Sequence, residues 1–314
     1  MSDPAALDDF RRAVLTGLAQ PHKTIPARFL YDQRGSELFE AITDLPEYYP
    51  TRTEIGLITT HAAEIAAEAG RVDTIVEFGS GSSTKTPLLL GPVAPRAYVP
   101  IDISPTILAN AAEVIGAAFP HAHVRPVVGD FTQALALPDL GRAMGFFPGS
   151  TIGNLTPADA VDLLRAFRST LGPDSTLVIG VDLRKDIAVL EAAYDDAAGV
   201  TAAFNLNLID RLNRELGGDL DRSAFRHRAR WDDFNGRIEM HLEAVRPVAF
   251  HVAGHAFAMA QGETIHTENS HKFFLEELRF MARAGGWEPL RKWTDGRSWF
   301  SLHLWRADAN ELQP

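Results

Sequence analysis

The chain has 314 residues, 46% hydrophobic and 23% charged, an ordinary balance for a soluble globular protein that sets aside disordered and fibrous classes. A formal charge of −11 argues against a nucleic-acid partner, since phosphate binding rests on Lys and Arg, and favours a cationic small ligand. Cysteine is absent, which removes disulfides, zinc ribbons and thiol nucleophiles. The segment Met1-Ser2-Asp3-Pro4 has no apolar leader and no later apolar run approaches the ~20 residues that span a bilayer, so a cytoplasmic chain with no membrane partner is expected.

Residues 5–20 read as an amphipathic helix, with Ala6, Leu7, Phe10, Val14 and Leu18 at helical spacing. A second helix starts near Gly35, and Leu45-Pro46-Glu47-Tyr48-Tyr49-Pro50 is an aromatic loop stiffened by proline on both sides. Three of the five tyrosines, Tyr31, Tyr48 and Tyr49, fall in this region, where they could simply cover core with their hydroxyls in water. A helix over about 51–69 leads to residues 74–85: the short β-branched run Thr74-Ile75-Val76, then Glu77, the turn Gly79-Ser80-Gly81, and a helix start near Lys85. Glycine there admits positive φ and close approach of a ligand to backbone N–H groups.

The next strand, Ala97-Tyr98-Val99-Pro100-Ile101-Asp102-Ile103, ends in an acid before the helix start Ser104-Pro105. Asp102 lies 23 residues beyond Gly79, the distance at which doubly wound folds place an acid on ribose hydroxyls; a charge for the following helix N-terminus is the plainer alternative. A helix to about Ala118, a strand over 124–128 ending in Gly129-Asp130-Phe131, a strand over Ala143–Phe147, a loop over 148–154, a helix over 157–170 and a strand over 177–182 continue the rhythm. Five βα units imply a mostly parallel sheet with helices on both faces. Residues 186–216 read as helical throughout. Strands broken by Asn235-Gly236 and Ala253-Gly254 fill 225–265, and a helix over 271–284 stops at Gly285-Gly286. Two strands, 287–293 and 299–305, are expected to close the main sheet antiparallel. The expected division is a nucleotide-type core over 61–195 plus 286–314 and an α+β substrate lobe over 1–60 plus 196–285, with the specificity site between them.

The glycine turn discriminates among ligands. A dinucleotide fold wants Gly-x-Gly-x-x-Gly, whereas Thr84 stands at the third position here. Glu77, two residues before Gly79, would repel a pyrophosphate and could receive an ammonium group. S-adenosylmethionine, a sulfonium with an ammonium and no phosphate, fits better than NAD, with Glu77, Gly79, Ser80, Gly81 and Lys85 in the turn, Asp102 at the ribose, and Asp130 and Phe131 at the adenine. An NAD-dependent oxidoreductase remains the alternative.

Several longer strings carry a family likeness: Arg28-Phe29-Leu30-Tyr31-Asp32, the run from Leu45 to Glu54, Gly149-Ser150-Thr151-Ile152-Gly153-Asn154-Leu155, the run from Ala193 to Thr201, and Ile265-His266-Thr267-Glu268-Asn269-Ser270. Over nearly its whole length the chain resembles the ergothioneine-pathway L-histidine Nα-methyltransferases. The resemblance implies a Rossmann-like class I methyltransferase core, S-adenosylmethionine as methyl donor, L-histidine as substrate and hercynine, the trimethylated betaine, as product. It further implies that Tyr31 lies beside the substrate amine, that Asn154 and Tyr194 hold the carboxylate with backbone at Gly149, that Glu268 and Ser270 bond the imidazole nitrogens, and that Tyr48 and Met240 line the pocket. A monomer is expected.

The residue types suit that chemistry. Neutral imidazole offers one donor and one acceptor, so a carboxylate and a hydroxyl complement it, and two residues apart on an extended segment Glu268 and Ser270 would face the same way. Without the family, Glu268 reads as a surface carboxylate and Ser270 as a cap on the helix over 271–284. Methyl transfer from a sulfonium is a direct displacement governed by alignment, so no dedicated general base is assigned, and water or a tyrosine hydroxyl suffices for the proton. No metal is assigned either: His251 and His255 span a turn where four-residue spacing does not align ligands, and His266 with His271 is no stronger. A non-catalytic binder of cofactor and amino acid, and a methyltransferase acting on an indole amino acid, also stay open.

Overall fold

The computed structural model describes residues 4–308 apart from 82, 133, 134, 136 and 138; Ser82 of the glycine stretch and the terminal 309–314 of the expected core lie outside the described residues. In chain order come α1 (Pro4–Leu18), β1 (Lys23–Thr24), α2 (Gln33–Thr43), α3 (Tyr49–Ala69), β2 (Thr74–Phe78), α4 (Pro87–Val93), β3 (Ala97–Asp102), α5 (Pro105–Ala118), β4 (His123–Val124), β5 (Val127–Val128), β6 (Ala143–Phe147), α6 (Pro157–Leu171) and β7 (Thr176–Asp182). Then follow α7 (Ile187–Tyr194), α8 (Val200–Leu216), β8 (Phe225–Asp232), β9 (Arg237–Ala244), β10 (Val248–Val252), β11 (His255–Met259), β12 (Thr264–His271), α9 (Leu275–Ala284), β13 (Trp287–Thr294) and β14 (Phe300–Ala307). Two compact units result, one from residues 1–49 and 185–271, the other from 50–184 and 272–314.

The larger unit is a three-layer α/β fold. Its eight-stranded sheet runs β13-β14-β7-β6-β2-β3-β4, with β5 also beside β3. The pairs among β2 to β7 are parallel, and β14 and β13 close the sheet antiparallel, as expected for the strands over 287–293 and 299–305. Alternate strand residues feed two cores: Ile75, Tyr98 and Met144 meet α3 and α4 on one face, while Val76, Val99 and Phe147 meet α6 and α9 on the other. Strand order reverses at β2, between β3 and β6, so the loop after β2 opens at the switch point where such sheets bind ligands.

The smaller unit holds a four-stranded sheet, β1-β12-β9-β8, antiparallel except for β1 on β12, and the hairpin β10-β11. The Asn235-Gly236 turn joins β8 to β9 with Gly236 at φ +65°, as the hairpin signal implied.

Five expectations need correction. The unit boundaries fall at 49/50, 184/185 and 271/272 rather than 60/61, 195/196 and 285/286. The shift arises because all of α3 beyond Tyr49 and all of α9 bury their apolar faces on the large sheet, through Ile58, Ile65, Leu278 and Met281, while α7 lies within the smaller unit. The stretch 186–216 is two helices, parted at Asp196, whose carboxylate accepts the N–H groups of Val200 and Thr201 and caps a new start after Gly199 at φ +73°. The strand over 124–128 divides into β4 and β5, with Pro126, which has no N–H to donate, in the gap. No helix follows β5 among the described residues, so the series of βα units is interrupted there. Finally, α9 begins at Leu275, because Ser270 and His271 still pair with Ile238 and Arg237 in β12; Ser270 is therefore no helix cap.

Candidate active site

Every residue of β2 is buried, and Glu77 points into protein: the hydroxyls of Tyr98 and Thr86 both donate to its Oε2, Thr86 at 2.5 Å. Burial pushes its carboxyl up to about 7, against the opposing pull of those hydroxyls and of Lys85. The sequence reading of an open carboxylate waiting for an ammonium is thus corrected. Glu77 ties the end of β2 to β3 and to the start of α4, and so shapes the turn from within.

Above that strand end the turn has the form its glycines require. Gly79 and Gly81 sit at φ +71° and +50°, where a side chain is strained. The N–H groups of Gly79 and Ser80 donate to the Ile101 carbonyl at 2.9 and 3.0 Å. Asp102 accepts from Gly81 N–H at 2.8 Å and Ser104 N–H at 2.9 Å, so its carboxylate anchors both the turn and the backbone just before α5, with lone pairs left for a ligand. A Cβ on Gly79 would stand 3.0 Å from Cε1 of Phe131, which places that aromatic ring against the turn. Asp130 accepts from the N–H and hydroxyl of Thr132 through one oxygen, Oδ1. Among the described residues the buried Ser80 hydroxyl has no hydrogen-bond partner. A buried hydroxyl without a partner among the described residues, an acid at the end of β3 and an aromatic ring against a glycine turn fit a nucleoside-bearing cofactor with no phosphate to neutralise.

Lys85 and Gly149 meet at a residue the sequence reading passed over. Glu54, fully buried on α3, accepts from Lys85 Nζ at 2.5 Å and from Gly149 N–H at 2.9 and 3.0 Å. Gly149 N–H is therefore already committed and does not stand open to a substrate carboxylate. The carboxylate fits because residue 180 is glycine: a Cβ there would lie 1.8 Å from Glu54 Oε1. Next to Gly149, Ser150 is held at φ +57° by the Asp182 N–H, which donates to its Oγ at 2.9 Å, and Asn154 ends the short helical turn Thr151–Asn154 that follows. The signal for Glu54 was an acid inside an apolar helix stretch, in the same string as Tyr48.

The smaller unit gathers the remaining site residues. Glu268 lies opposite Met240 and Ser270 opposite Ile238 across β12 and β9, so Glu268, Ser270 and Met240 share one face, as the two-residue spacing implied. Tyr194 Oη lies 2.6 Å from Ser270 Oγ, and Tyr31 Oη donates to Glu268 Oε1 at 3.4 Å. The family likeness gave Tyr31 to the amine and Tyr194 to the carboxylate; here the Tyr31 hydroxyl rests on Glu268 and the Tyr194 hydroxyl on Ser270, the two residues expected at the imidazole. Burial around its hydroxyl, with the Glu268 charge beside it, holds Tyr31 well above its ordinary range, so it is a neutral donor rather than a base. Rings surround this polar pair: Tyr31 meets Phe39 and Phe204 edge-on at 5.5 and 5.4 Å, and Tyr48 meets Phe39 and Tyr194 at 6.2 and 6.1 Å. Tyr48 is buried, so the plain surface reading fails for it.

Of the histidine pairs weighed for metal, His266 falls in a different cluster, with Glu239 and His241. Both Glu239 oxygens are committed to the guanidinium groups of Arg230 and Arg237, and His241 Nε2 donates to Oε2. Burial opposes ionisation of Glu239, yet these partners hold it down at about 2. Two guanidinium cations on the one carboxylate leave no place for a third.

A family model described as histidine-specific methyltransferase, SAM-dependent, matches residues 10–307. The chain belongs to that family. Among its relatives, a histidine N-alpha-methyltransferase of Mycolicibacterium smegmatis is 44% identical over 309 residues, 96% of this chain and 95% of that one. A protein of the same description from Mycobacterium tuberculosis is 42% identical over 304 residues, 94% of each. A solved S-adenosylmethionine-dependent methyltransferase from Clostridium acetobutylicum superposes with a TM-score of 0.53 over 87% of this chain and 99% of that one, at 12% identity, a likeness of fold alone. The methyltransferase therefore uses S-adenosylmethionine as its methyl donor, and the turn after β2 in its Rossmann-like sheet is the expected seat of that donor. Among the described residues no helix is long and apolar enough to cross a membrane.

Proposed function

We infer that this enzyme transfers three methyl groups in succession to the α-amine of L-histidine, giving hercynine, a step of ergothioneine biosynthesis. The observation that carries the reading is the Glu268–Ser270 face of β12: a carboxylate and a hydroxyl, both buried, side by side among aromatic rings. Such a face complements the acceptor and donor nitrogens of a neutral imidazole and would leave an indole or an aliphatic side chain poorly matched. The relatives named for histidine methylation, and two fungal proteins named for ergothioneine biosynthesis of which this chain spans about a third, support the same substrate and pathway.

When bound, S-adenosylmethionine supplies an electrophilic methyl on a sulfonium that leaves as a neutral thioether. Gly79, Ser80, Gly81, Asp102, Asp130 and Phe131 are the residues to hold it, with Glu77 and the Lys85–Glu54 pair fixing the turn. The protein's task toward the acceptor is to orient a neutral amine and exclude competing water. Tyr31 presents its hydroxyl to that task, and Tyr194 and Asn154 offer a hydroxyl and an amide to the carboxylate. With Tyr31 kept neutral, the amine proton passes to water. Each added methyl removes a hydrogen-bond donor from the nitrogen and fixes its positive charge, which the faces of Tyr31 and Tyr48 accommodate at ~0.5–2 kcal/mol per contact.

The test is direct. Purified enzyme is incubated with L-histidine and S-adenosylmethionine, and the products are weighed; mass increments of one, two and finally three methyl groups are expected on histidine. Methylation confined to the ring nitrogens, or to an indole amino acid, would defeat the reading.

A further inference from the structure

The face that Glu268 presents is decided one residue earlier. Along β12, His266 stands opposite His241 and Glu268 opposite Met240, so Thr267 is a bulged residue with no counterpart on β9. Side chains alternate along a strand, and one residue of register moves a whole set to the other face. Were the bulge absent, Thr267 would face Met240, while Glu268 and Ser270 would turn to the Glu239 and His241 side of the sheet. The imidazole-reading pair depends on this single irregularity.

Thr267 is pinned by a fully buried amide. Its hydroxyl donates to Asn205 Oδ1 at 2.7 Å and approaches the Met240 carbonyl at 3.0 Å. Asn205 Nδ2 donates to the His241 carbonyl at 3.0 Å and to His227 Nδ1 at 3.0 Å. The His227 proton can be assigned: Nε2 lies 2.8 Å from the Tyr194 carbonyl, which only accepts, so Nε2 carries the hydrogen and Nδ1 receives from Asn205. Burial, which lowers the pKa of His227, favours that neutral ring. One amide on α8 is thus bonded to β9 beside Met240, to the bulge beside Glu268, and through His227 to the backbone of Tyr194.

We propose that Asn205 and Thr267 are specificity-positioning residues, whose amide–hydroxyl pair locks the β12 bulge that turns Glu268 and Ser270 toward the substrate ring. This rests on the histidine reading above and deepens it. Neither residue needs to touch substrate. Loss of the lock loosens selection of the imidazole while the cofactor turn, built from other elements, is untouched.

The variants are Thr267→Val, which keeps the branched shape and leaves Asn205 Oδ1 unsatisfied, Thr267→Ser, which keeps the hydroxyl, and Asn205→Asp, which replaces the donor to His241 and His227. The readouts are KM and kcat for L-histidine, activity toward 3-(2-thienyl)alanine, whose ring lacks both nitrogens, and Kd for S-adenosylhomocysteine. Expected for Thr267→Val and Asn205→Asp is a KM for histidine raised about tenfold, the scale of one buried hydrogen-bonding group left unpaired. A narrowed preference for histidine over the thienyl analogue and an unchanged Kd should accompany it, with Thr267→Ser behaving as the parent. Unchanged KM in Thr267→Val, or a Thr267→Ser enzyme as impaired as Thr267→Val, overturns the proposal. A parent enzyme that leaves histidine unmethylated defeats the functional reading instead, so the two failures are distinguished in the first measurement.

Discussion

Replacing Glu77 by glutamine tests the internal role assigned to this acid. The carboxyl is buried beneath two hydroxyl donors and is pushed up to about 7, from an ordinary value of 4.5. Between those values the native state holds a proton that the unfolded chain has released, so stability falls as pH rises. The contribution is fully present below about pH 4.5 and lost by about pH 7. Raising the carboxyl from 4.5 to about 7 sets the loss near 3 kcal/mol, at about 1.36 kcal/mol per tenfold change in proton affinity, in a site where Glu77 is 1% exposed. Glutamine keeps a carbonyl oxygen for Tyr98 and Thr86 and does not titrate. Equilibrium urea unfolding of parent and Glu77→Gln at intervals from pH 4 to pH 8.5 should show the parent losing about 3 kcal/mol relative to the variant. A difference that stays flat, or that grows in the parent's favour with pH, would mean that Glu77 is ionised in the native protein, and the reasoning would be refuted.

Glu268→Ala should raise the histidine KM about 10- to 100-fold, the scale of a charge-assisted hydrogen bond, and leave cofactor affinity intact; a KM equal to the parent's removes Glu268 from the imidazole subsite. Asp102→Asn should weaken S-adenosylmethionine by roughly 1.5–3 kcal/mol, measured by calorimetry, because its carboxylate both anchors Gly81 and faces the expected ribose position; unaltered affinity counts against that role. Gly180→Ala should lower stability by roughly 1–3 kcal/mol through overpacking, since the new methyl would meet Glu54 Oε1 at 1.8 Å, and a thermal midpoint equal to the parent's would show that Glu54 does not occupy the site seen here.

The cofactor half of the site was legible because it is local. A buried β-branched strand, two glycines with positive φ and an acid closing the next strand lie within a span of about thirty residues, and each follows from backbone sterics or from the alternation of the sheet. The two strands expected over 287–293 and 299–305 do close the sheet antiparallel. Glu77 was located correctly in sequence but misread in role, since its burial and its bonds to Tyr98 and Thr86 depend on strands and helices that sequence proximity does not show.

By itself the sequence determined the fold class and the cofactor class, and strings that resemble one family implied which residues would surround a histidine. Period-two spacing also put Glu268 and Ser270 on a common face. Which face it is, only the tertiary structure decided, because a one-residue bulge at Thr267 inverts the sheet's two sides and leaves no mark in composition or period. The same holds for Glu54, Asn205 and His227, whose partners lie 22 to 95 residues away and whose importance comes from burial without water to replace those partners.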